Sequence, residues 1–538
     1  MEYMLDSDIT IQDDVLQKEL NRATSGKMKN IVATIQREQN AIIRNEDDRH
    51  LIIQGVAGSG KTSIALHRIA FLLYRFKETI SSSDILIISP NKIFAGYISN
   101  VLPELGEENI EETSMEEIAD ELFEHQINFQ SFFGQVSELL SKTDKKLIER
   151  IRFKSSTELL NKIDDYIIYL ENEGFKPEDI VVGRKPVPAW FIKESFQKHS
   201  RKPILSRFNE VVRDIVNNVS VYYGYEIAGK ERTQLHAVIR KMFPSAKLRM
   251  LYKEFYKWLD RPDLLKVRKG ATYEYSDVYP LLYLKMKLEG LQPFSKVKHL
   301  VIDEMQDYSP VQYQVLSTLF PCKKTILGDI NQSVNPFSSS GLESIQTVYS
   351  DARCMSMLKS YRSTFEITRF TKKIRQNNDI EAMERHGEEP AVHSLKTEAA
   401  ELNRIKQLIR GFQESNYNSL GIICKTQPEA DRLHRALKVD HPVGLLNAAS
   451  VAFGSGIVIT TAHQAKGLEF DQVLVPFVTG KNYRSQPDRQ MLYVACTRAM
   501  HRLDLTYSGN MSGFLMNDES GKRADKAGDK KTEKLLLS

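Results

Sequence analysis

The segment from 55 to 62 reads GVAGSGKT and lies between an apolar run and SIALHRIAFLL, which has helical spacing. A glycine, four residues, a second glycine, a lysine and a threonine, set between a buried strand and a helix, form the pattern of a phosphate-binding P-loop. Glycines let backbone amides surround a phosphate without a Cβ clash, and the helix N-terminus attracts the same anion. We therefore predict a nucleotide site in an α/β fold, with Lys61 on the β- and γ-phosphates and Thr62 on Mg²⁺. The predicted contacts of this segment are Gly55, Val56, Ala57, Gly58, Ser59, Gly60, Lys61, Thr62 and Ser63.

Composition indicates an ordinary globular chain that is large enough for several domains. Of its 538 residues, 41% are hydrophobic and 27% are charged, and the net charge is +4. No apolar run approaches the length of a membrane span, and the start MEYMLDSD lacks the regions of a signal peptide, so we expect a cytoplasmic protein without a membrane partner. The four cysteines lie far apart without CxxC spacing, which predicts buried thiols and neither a metal site nor disulfides.

Short apolar strands alternate with helical segments around the P-loop. The strands are predicted at 51–53, 85–90, 298–304 and 324–329. Such runs are typical of a parallel sheet that is covered on both faces. We assign 31–110 and 291–345 to a first α/β domain, with a helical lead-in at 1–30.

A long, mainly helical insertion, assigned to 111–290, separates the second strand from the third. Its charge is uneven, because 104–124 contains ten acidic residues and no lysine or arginine, whereas 181–260 contains sixteen basic and seven acidic residues. Solvated helix faces would explain both runs. The basic run is nevertheless the best local candidate for a polyanion surface, since aromatic residues are interleaved with it. These aromatic residues are Tyr222, Tyr223, Tyr225, Phe243 and Tyr252.

A second α/β block is predicted at 346–510. SLGIICK is followed by the helical QPEADRLHRALK, and GIVITTAHQAKGLEFDQVLV supplies two more strands around a polar loop. The strand HRLDLTYS closes the block. The segment 511–538 is charged and contains few apolar residues, so we predict a disordered tail.

Residues suited to nucleotide hydrolysis recur outside the P-loop. VIDE is an apolar strand that ends in two carboxylates, and we assign the metal ion to Asp303 and the activation of water to Glu304. Gln332, after the next strand, is placed to sense the γ-phosphate. Arg362 and Arg498 belong to the second block, and an arginine from a neighbouring domain can stabilise the charge on a transferring phosphoryl group.

Taken together, the motifs from about 30 to 508 resemble the UvrD/Rep group of superfamily 1 helicases, in that family's order. They are IIQGVAGSGKTSIALHRIAFLL, LVIDEMQD, TILGDINQSV, LKSYRST, VITTAHQAKGLEFDQVLV and LLYVACTRA. The resemblance implies two RecA-like P-loop motor domains, each a parallel sheet with helices on both faces, plus the helical insertion. It also implies ATP and Mg²⁺ as cofactors and single-stranded or partly duplex DNA as substrate.

The resemblance also assigns individual roles. Gln39 is similar to the glutamine that recognises adenine, Tyr361 to the aromatic residue that stacks on the base, and Glu469 to the ribose contact. Arg362 and Arg498 resemble the two γ-phosphate arginines. The remaining positions carried over are Arg68 and Gly467 in the nucleotide pocket, and Phe337, Thr461 and His463 as nucleic-acid contacts.

Three further strings resemble HelD, the helicase-like factor that remodels bacterial RNA polymerase. They are ATSGKMKNIVATIQREQ, SPNKIFAGYISNVLPELGE and YSDVYPLLYLKMKLEG. This branch implies the RNA polymerase core as an alternative partner. Because only about 50 residues precede the P-loop, we expect the long amino-terminal coiled coil of HelD to be absent.

The chain departs from the UvrD/Rep pattern in three places. Where those enzymes have a tyrosine and a tryptophan that stack on bases, the chain has Asn335 and Phe337. Stacking of one base contributes roughly 1–3 kcal/mol to binding, so we expect this chain to bind single-stranded DNA more weakly than those enzymes do. The expected TFH string is Thr113-Ser114-Met115, inside the acidic run. The interval between Arg362 and Thr461 is too short for the large regulatory insertion of UvrD and Rep.

Two functions fit these motifs. The first is an ATP-dependent DNA helicase or translocase. The second is a HelD-like ATPase that binds and remodels or recycles RNA polymerase with little or no unwinding. A degenerate core that binds ATP but moves nothing is a third interpretation, against which the acid pair and both arginines count. We expect a monomer.

Overall fold

The computed structural model describes residues 37–90, 110–141, 144–335, 341–375, 380–446 and 456–516. In chain order the strands are β1 (His50–Gly55), β2 (Ile85–Ile88), β3 (Glu111–Thr113), β4 (Ile180–Val182), β5 (Lys185–Val187), β6 (His299–Ile302), β7 (Lys323–Gly328), β8 (Arg353–Met357), β9 (Lys359–Ser360), β10 (Glu381–Ala382), β11 (Ala391–Leu395), β12 (Ser419–Cys424), β13 (Val443–Leu445), β14 (Gly456–Thr461), β15 (Phe470–Val475) and β16 (Ala499–Ser508). The α-helices are α1 (Arg37–Ile43), α2 (Lys61–Arg75), α3 (Met115–Leu122), α4 (Phe132–Ser141), α5 (Lys145–Lys154), α6 (Thr157–Tyr169), α7 (Ala189–Lys198), α8 (Ile204–Tyr223), α9 (Gly229–Lys241), α10 (Leu248–Trp258), α11 (Tyr275–Glu289), α12 (Pro310–Leu319), α13 (Leu342–Val348), α14 (Phe365–Arg375), α15 (Glu398–Gln413), α16 (Gln427–Leu437) and α17 (Gln486–Cys496).

The first sheet contains parallel strands in the order β3-β2-β6-β7-β1-β8. β2 and β6 are buried along their whole length, which explains why their sequences are continuous apolar runs. Because β6, β7 and β1 are neighbours and parallel, the segments after their carboxyl ends meet at one edge. These segments are the acid pair, the Gln332 loop and the P-loop.

This first sheet extends beyond the range that we predicted for the first domain. β3 pairs with β2, and β8 pairs with β1, although 111–113 and 353–357 lie outside 31–110 and 291–345. Both are edge strands with partly exposed side chains, so their sequences EET and RCMSM lack an apolar run. The insertion therefore begins after 113, and the second block begins after 357.

The second sheet is also parallel, in the order β11-β16-β15-β12-β14-β13. β12 is buried at every position, and the cluster packed on it includes Ile405, Leu433 and Ile459. The two parallel sheets with their flanking helices confirm the predicted fold class of two RecA-like domains.

The described part of the insertion is mainly helical, with β4 and β5 as an antiparallel hairpin. Its last helix, α11, contacts α8 in the insertion and α12 in the first motor domain, and it is buried on nearly all sides. The interleaved aromatic residues do not form one surface, because Phe243 and Tyr252 are buried whereas Tyr222 and Tyr223 are exposed. Helical packing therefore places two of these five rings in the core, and a polyanion surface on this basic run stays a prediction.

Among the residues that the structure describes, no helix is long and apolar enough to cross a membrane. The four cysteines are free thiols, with Cys424 and Cys496 buried.

Candidate nucleotide site and strand contacts

The P-loop connects β1 to α2. Gly58 and Gly60 have φ angles of 73° and 81°, in the left-handed region that favours glycine. Lys61 Nζ donates to the backbone oxygens of Gly55 and Val56, both at 3.0 Å, so the ammonium group lies within the loop. Burial lowers the pKa of Lys61, while the nearby carboxylates of Asp329 and Glu304 oppose that shift.

The loop fits a phosphate group. A Cβ on Gly55 would lie 2.4 Å from Ser59 Oγ and 2.6 Å from Lys61 Cγ, so only glycine leaves the cradle open. Ser59 Oγ is buried and has no hydrogen-bond partner among the described residues, which suits a group that binds a ligand. Thr62 and Asp303 would hold Mg²⁺, which neutralises charge on the β- and γ-phosphates when it is bound.

The acid pair follows β6 at the same edge. Asp303 is buried, and its amide donates to the backbone oxygen of Ile88 at 2.9 Å. Glu304 has a φ of 54°, a strained conformation for a non-glycine residue. Burial and the neighbouring charge of Glu304 raise the pKa of Asp303 to about 8. Burial also acts to raise the pKa of Glu304, but the charges of Lys466 and Lys61 outweigh it and lower that pKa. At neutral pH, Glu304 is thus the carboxylate that can accept a proton.

Arg498 connects the second motor domain to Gln332 of the first. Its guanidinium donates to Gln332 Oε1, and Gln332 Nε2 donates to Asp329 Oδ2 at 2.7 Å. Arg498 is only 2% exposed. Burial and the nearby charge of Arg362 lower the pKa of Arg498 to about 10, so it remains protonated at neutral pH. A positive charge from one domain is therefore buried against Gln332 of the other.

Arg362 approaches the P-loop from the second motor domain. A Cβ on Gly58 would lie 2.6 Å from Arg362 Cβ, and the amide of Tyr361 donates to the backbone oxygen of Gly58 at 2.8 Å. The guanidinium of Arg362 forms an ion pair with Glu469. Gly467, with a φ of 82°, makes the turn that leads to Glu469. The base and ribose contacts of Tyr361 and Glu469 stay predictions.

Lys466 is a site residue that we did not predict. It is 2% exposed, and its ammonium pairs with Asp307 and lies 3.4 Å from Glu304 Oε2. Although burial opposes it, the charges of Asp307 and Glu304 raise the pKa of Lys466. The signal was available in QAKGLEF, where this lysine precedes Gly467.

Arg68 does not line the nucleotide pocket, contrary to our prediction. Its Nη1 donates to the backbone oxygens of Ile42 and Ile43 at 2.9 and 3.2 Å, and its Nε donates to Thr325 Oγ1 at 2.9 Å. The guanidinium is committed to the end of α1, the helix that carries Gln39. Arg68 therefore fixes the end of α1 against β7. The cavity that Arg68 does line contains no P-loop residue, but includes Leu72, Phe76 and His299.

Thr461 and His463 are completely buried, so neither side chain offers an exposed surface to a nucleic acid, and their role as nucleic-acid contacts stays a prediction. His463 Nε2 is 3.2 Å from Ser137 Oγ, and its ring lies 5.9 Å from that of Phe133. Both partners belong to α4 of the insertion, which covers the imidazole. Burial lowers the pKa of His463 to about 4, so it carries no charge toward a phosphate at neutral pH. Phe337 lies outside the described residues.

Comparisons with known families and proteins agree with these motifs. The model of the UvrD/REP helicase N-terminal domain matches residues 35–353, and that of the UvrD-like helicase C-terminal domain matches 456–506. A protein of Acanthamoeba polyphaga mimivirus that is named "Putative ATP-dependent DNA helicase R568" is 23% identical over 355 residues. A crystal structure of the C-terminal domain of a possible DNA helicase from Lactobacillus plantarum WCFS1 is 31% identical, covering 30% of this chain and 96% of that chain with a TM-score of 0.26.

These matches include the residues that form the cleft. The match to the mimivirus protein covers 58% of this chain and 50% of that protein, so this chain aligns with half the length of its relative. The first family match spans more than half of the chain and includes the P-loop and the acid pair, and the second includes Glu469 and Arg498. The chain therefore belongs to the UvrD/Rep helicase family.

Proposed function

We propose that this chain couples ATP hydrolysis to movement along single-stranded DNA. The observation that carries the proposal is the buried contact between Arg498 of the second motor domain and Gln332 of the first. An arginine that crosses a domain boundary to the γ-phosphate sensor makes hydrolysis depend on domain closure. Loss of the γ-phosphate then removes the charge that Arg362 and Arg498 surround, and the cleft reopens.

Each residue has a defined part in this cycle. Lys61 and the P-loop amides bind the phosphates, while Thr62 and Asp303 hold Mg²⁺. Glu304 accepts a proton from the attacking water, since its low pKa keeps it ionised at neutral pH. Arg362 and Arg498 stabilise charge that develops on the transferring phosphoryl group.

The first experiment measures ATP turnover with and without a single-stranded DNA oligonucleotide. We expect DNA to increase turnover many-fold in the native chain. Lys61→Ala and Glu304→Gln should eliminate turnover, whereas Lys77→Ala, which removes an exposed lysine beyond the end of α2, should not. Turnover that survives Lys61→Ala would place the active site elsewhere.

A HelD-like function on RNA polymerase is the second candidate. Burial of His463 beneath α4 favours it, since a chain that works on a protein has no need of an open strand path there. We expect this function to give ATP turnover that responds to core RNA polymerase and not to DNA, together with co-purification of the two proteins. Stimulation by DNA alone would contradict it. The cytoplasmic location and the monomeric state stay predictions from the sequence.

A further inference from the structure

Arg385 bridges the two chain segments that carry the arginines of the nucleotide site. Its Nη1 donates to the backbone oxygen of Arg362 at 2.9 Å, and its Nη2 donates to Nδ1 of His501 at 2.8 Å. His501 lies on β16, close after Arg498 in the chain. One side chain therefore links the backbone at the first arginine to the strand that follows the second.

Both ends of this bridge are anchored. β9, which directly precedes Tyr361, pairs in parallel with β10, just before Arg385. The backbone oxygen of Arg385 accepts a hydrogen bond from the amide of Phe365, at the start of α14, at 2.8 Å. At the other end, the His501 ring stacks on that of Tyr417 with 5.6 Å between centroids. Because both ends are anchored, the distance that the Arg385 guanidinium spans is fixed. Residues of a site with precise geometry need such support from the residues that lie behind them.

We propose that Arg385 is a positioning residue that makes Arg362 and Arg498 move as one unit when the cleft closes. The Arg362 side chain must exchange Glu469 for the γ-phosphate, and a held backbone limits where its guanidinium can go. A displacement of about 1 Å in such a site can lower the rate about 100-fold. The inference rests on the proposed ATPase function, but it does not depend on which polymer is moved.

The test compares the steady-state kinetics of Arg385→Ala with those of the native chain. We expect kcat to fall by about 10- to 100-fold, while KM for ATP changes little because the P-loop is intact. Arg369→Ala is the matched control, since Arg369 is an exposed arginine of α14 that pairs with Glu389. The control should retain the native kcat. An unchanged kcat in Arg385→Ala would overturn the proposal.

A double-mutant cycle separates positioning from general structural support. If Arg385 acts through Arg362 and Arg498, adding Arg385→Ala to Arg362→Ala should lower kcat by a smaller factor than it does in the native chain. Single-turnover hydrolysis of radiolabelled ATP makes these slow rates measurable. Full additivity of the two effects would overturn the proposal.

His501 provides a second route if Arg385→Ala does not fold. His501→Ala removes the acceptor and should lower kcat, whereas His501→Gln keeps a side-chain acceptor and should recover most of the rate. Equal rates in both variants would argue against the bridge. Failure of the proposed function looks different, because the native chain and Lys61→Ala would then show the same turnover.

Discussion

At the scale of single residues, the acid pair should couple the binding of a metal ion to the release of a proton. Asp303 has its pKa raised to about 8 by burial and by the charge of Glu304, so it holds a proton at neutral pH. A metal ion needs the ionised carboxylate, and its binding should therefore release that proton. Burial acts to raise the pKa of Glu304 as well, but the charges of Lys466 and Lys61 outweigh it and keep Glu304 as the ionised partner.

The raised pKa of Asp303 predicts how stability depends on pH. Between pH 4 and 8 the folded chain keeps this proton and the unfolded chain does not, so stability falls as pH rises through this window. Asp303→Asn should remove that contribution. We expect Asp303→Asn to be more stable than the native chain at pH 8.5 and to differ little near pH 4, measured by chemical denaturation without Mg²⁺. A difference that does not change with pH would contradict the assignment.

Local sequence motifs predicted the site residues whose position depends only on their own segment of the chain. The P-loop and the acid pair each follow a buried strand, so their positions at one edge of the sheet could be predicted from the sequence. Lys466 lies in the motif QAKGLEF, but its partners Asp307 and Glu304, like the partners of Arg385, lie in other segments, and no local pattern reports such contacts. The burial of His463 was equally hidden, because its partner Ser137 is 326 residues away in the chain.

At the scale of elements, α4 decides whether a strand can reach His463. Phe133 and Ser137 of this helix cover the imidazole, which has no exposed surface. If DNA contacts His463, α4 must move. We expect faster amide hydrogen exchange within 132–141 when single-stranded DNA is added. Unchanged exchange at saturating DNA would mean that His463 is not a strand contact.

A buried charge cluster joins α5 to the start of α11. Arg150 and Glu274 form an ion pair at 2.6 Å, and Lys154 Nζ is 2.7 Å from Asp277 Oδ1. Lys154, Glu274 and Asp277 have no exposed side-chain surface. Removing one partner from such a cluster leaves an uncompensated charge in a medium of low dielectric constant.

This cluster predicts a large loss of stability for one substitution. Lys154→Met should lower the free energy of unfolding by about 3–5 kcal/mol, because Asp277 loses its charged partner. Arg152→Met, at an exposed position of the same helix, should change it by less than about 0.5 kcal/mol. Urea denaturation followed by tryptophan fluorescence measures both. Equal losses would show that the cluster does not hold the insertion in place.

At the scale of the whole molecule, the nucleotide should connect the two motor domains. Arg362 and Arg498 come from one domain, and Lys61 and Gln332 come from the other, so bound ATP touches both. A ligand that binds only the folded state stabilises it by about 2.7 kcal/mol at 100 times its Kd. Glu304→Gln with Mg²⁺ and ATP should therefore show a raised Tm that persists, since it binds without hydrolysis. Lys61→Ala should show little shift at the same ATP concentration, and an equal shift would place ATP outside the P-loop.

The buried ion pair between Lys466 and Asp307 should respond to salt differently from contacts between the protein and a nucleic acid. The two side chains are 2% and 3% exposed, so dissolved ions barely screen their attraction. Contacts between basic side chains and a nucleic-acid backbone lie in solvent and weaken steeply as salt rises. Raising the ionic strength should therefore weaken binding to the nucleic acid at a salt concentration that leaves the ion pair between Lys466 and Asp307 intact. DNA-stimulated turnover would decline first, while the basal rate persists.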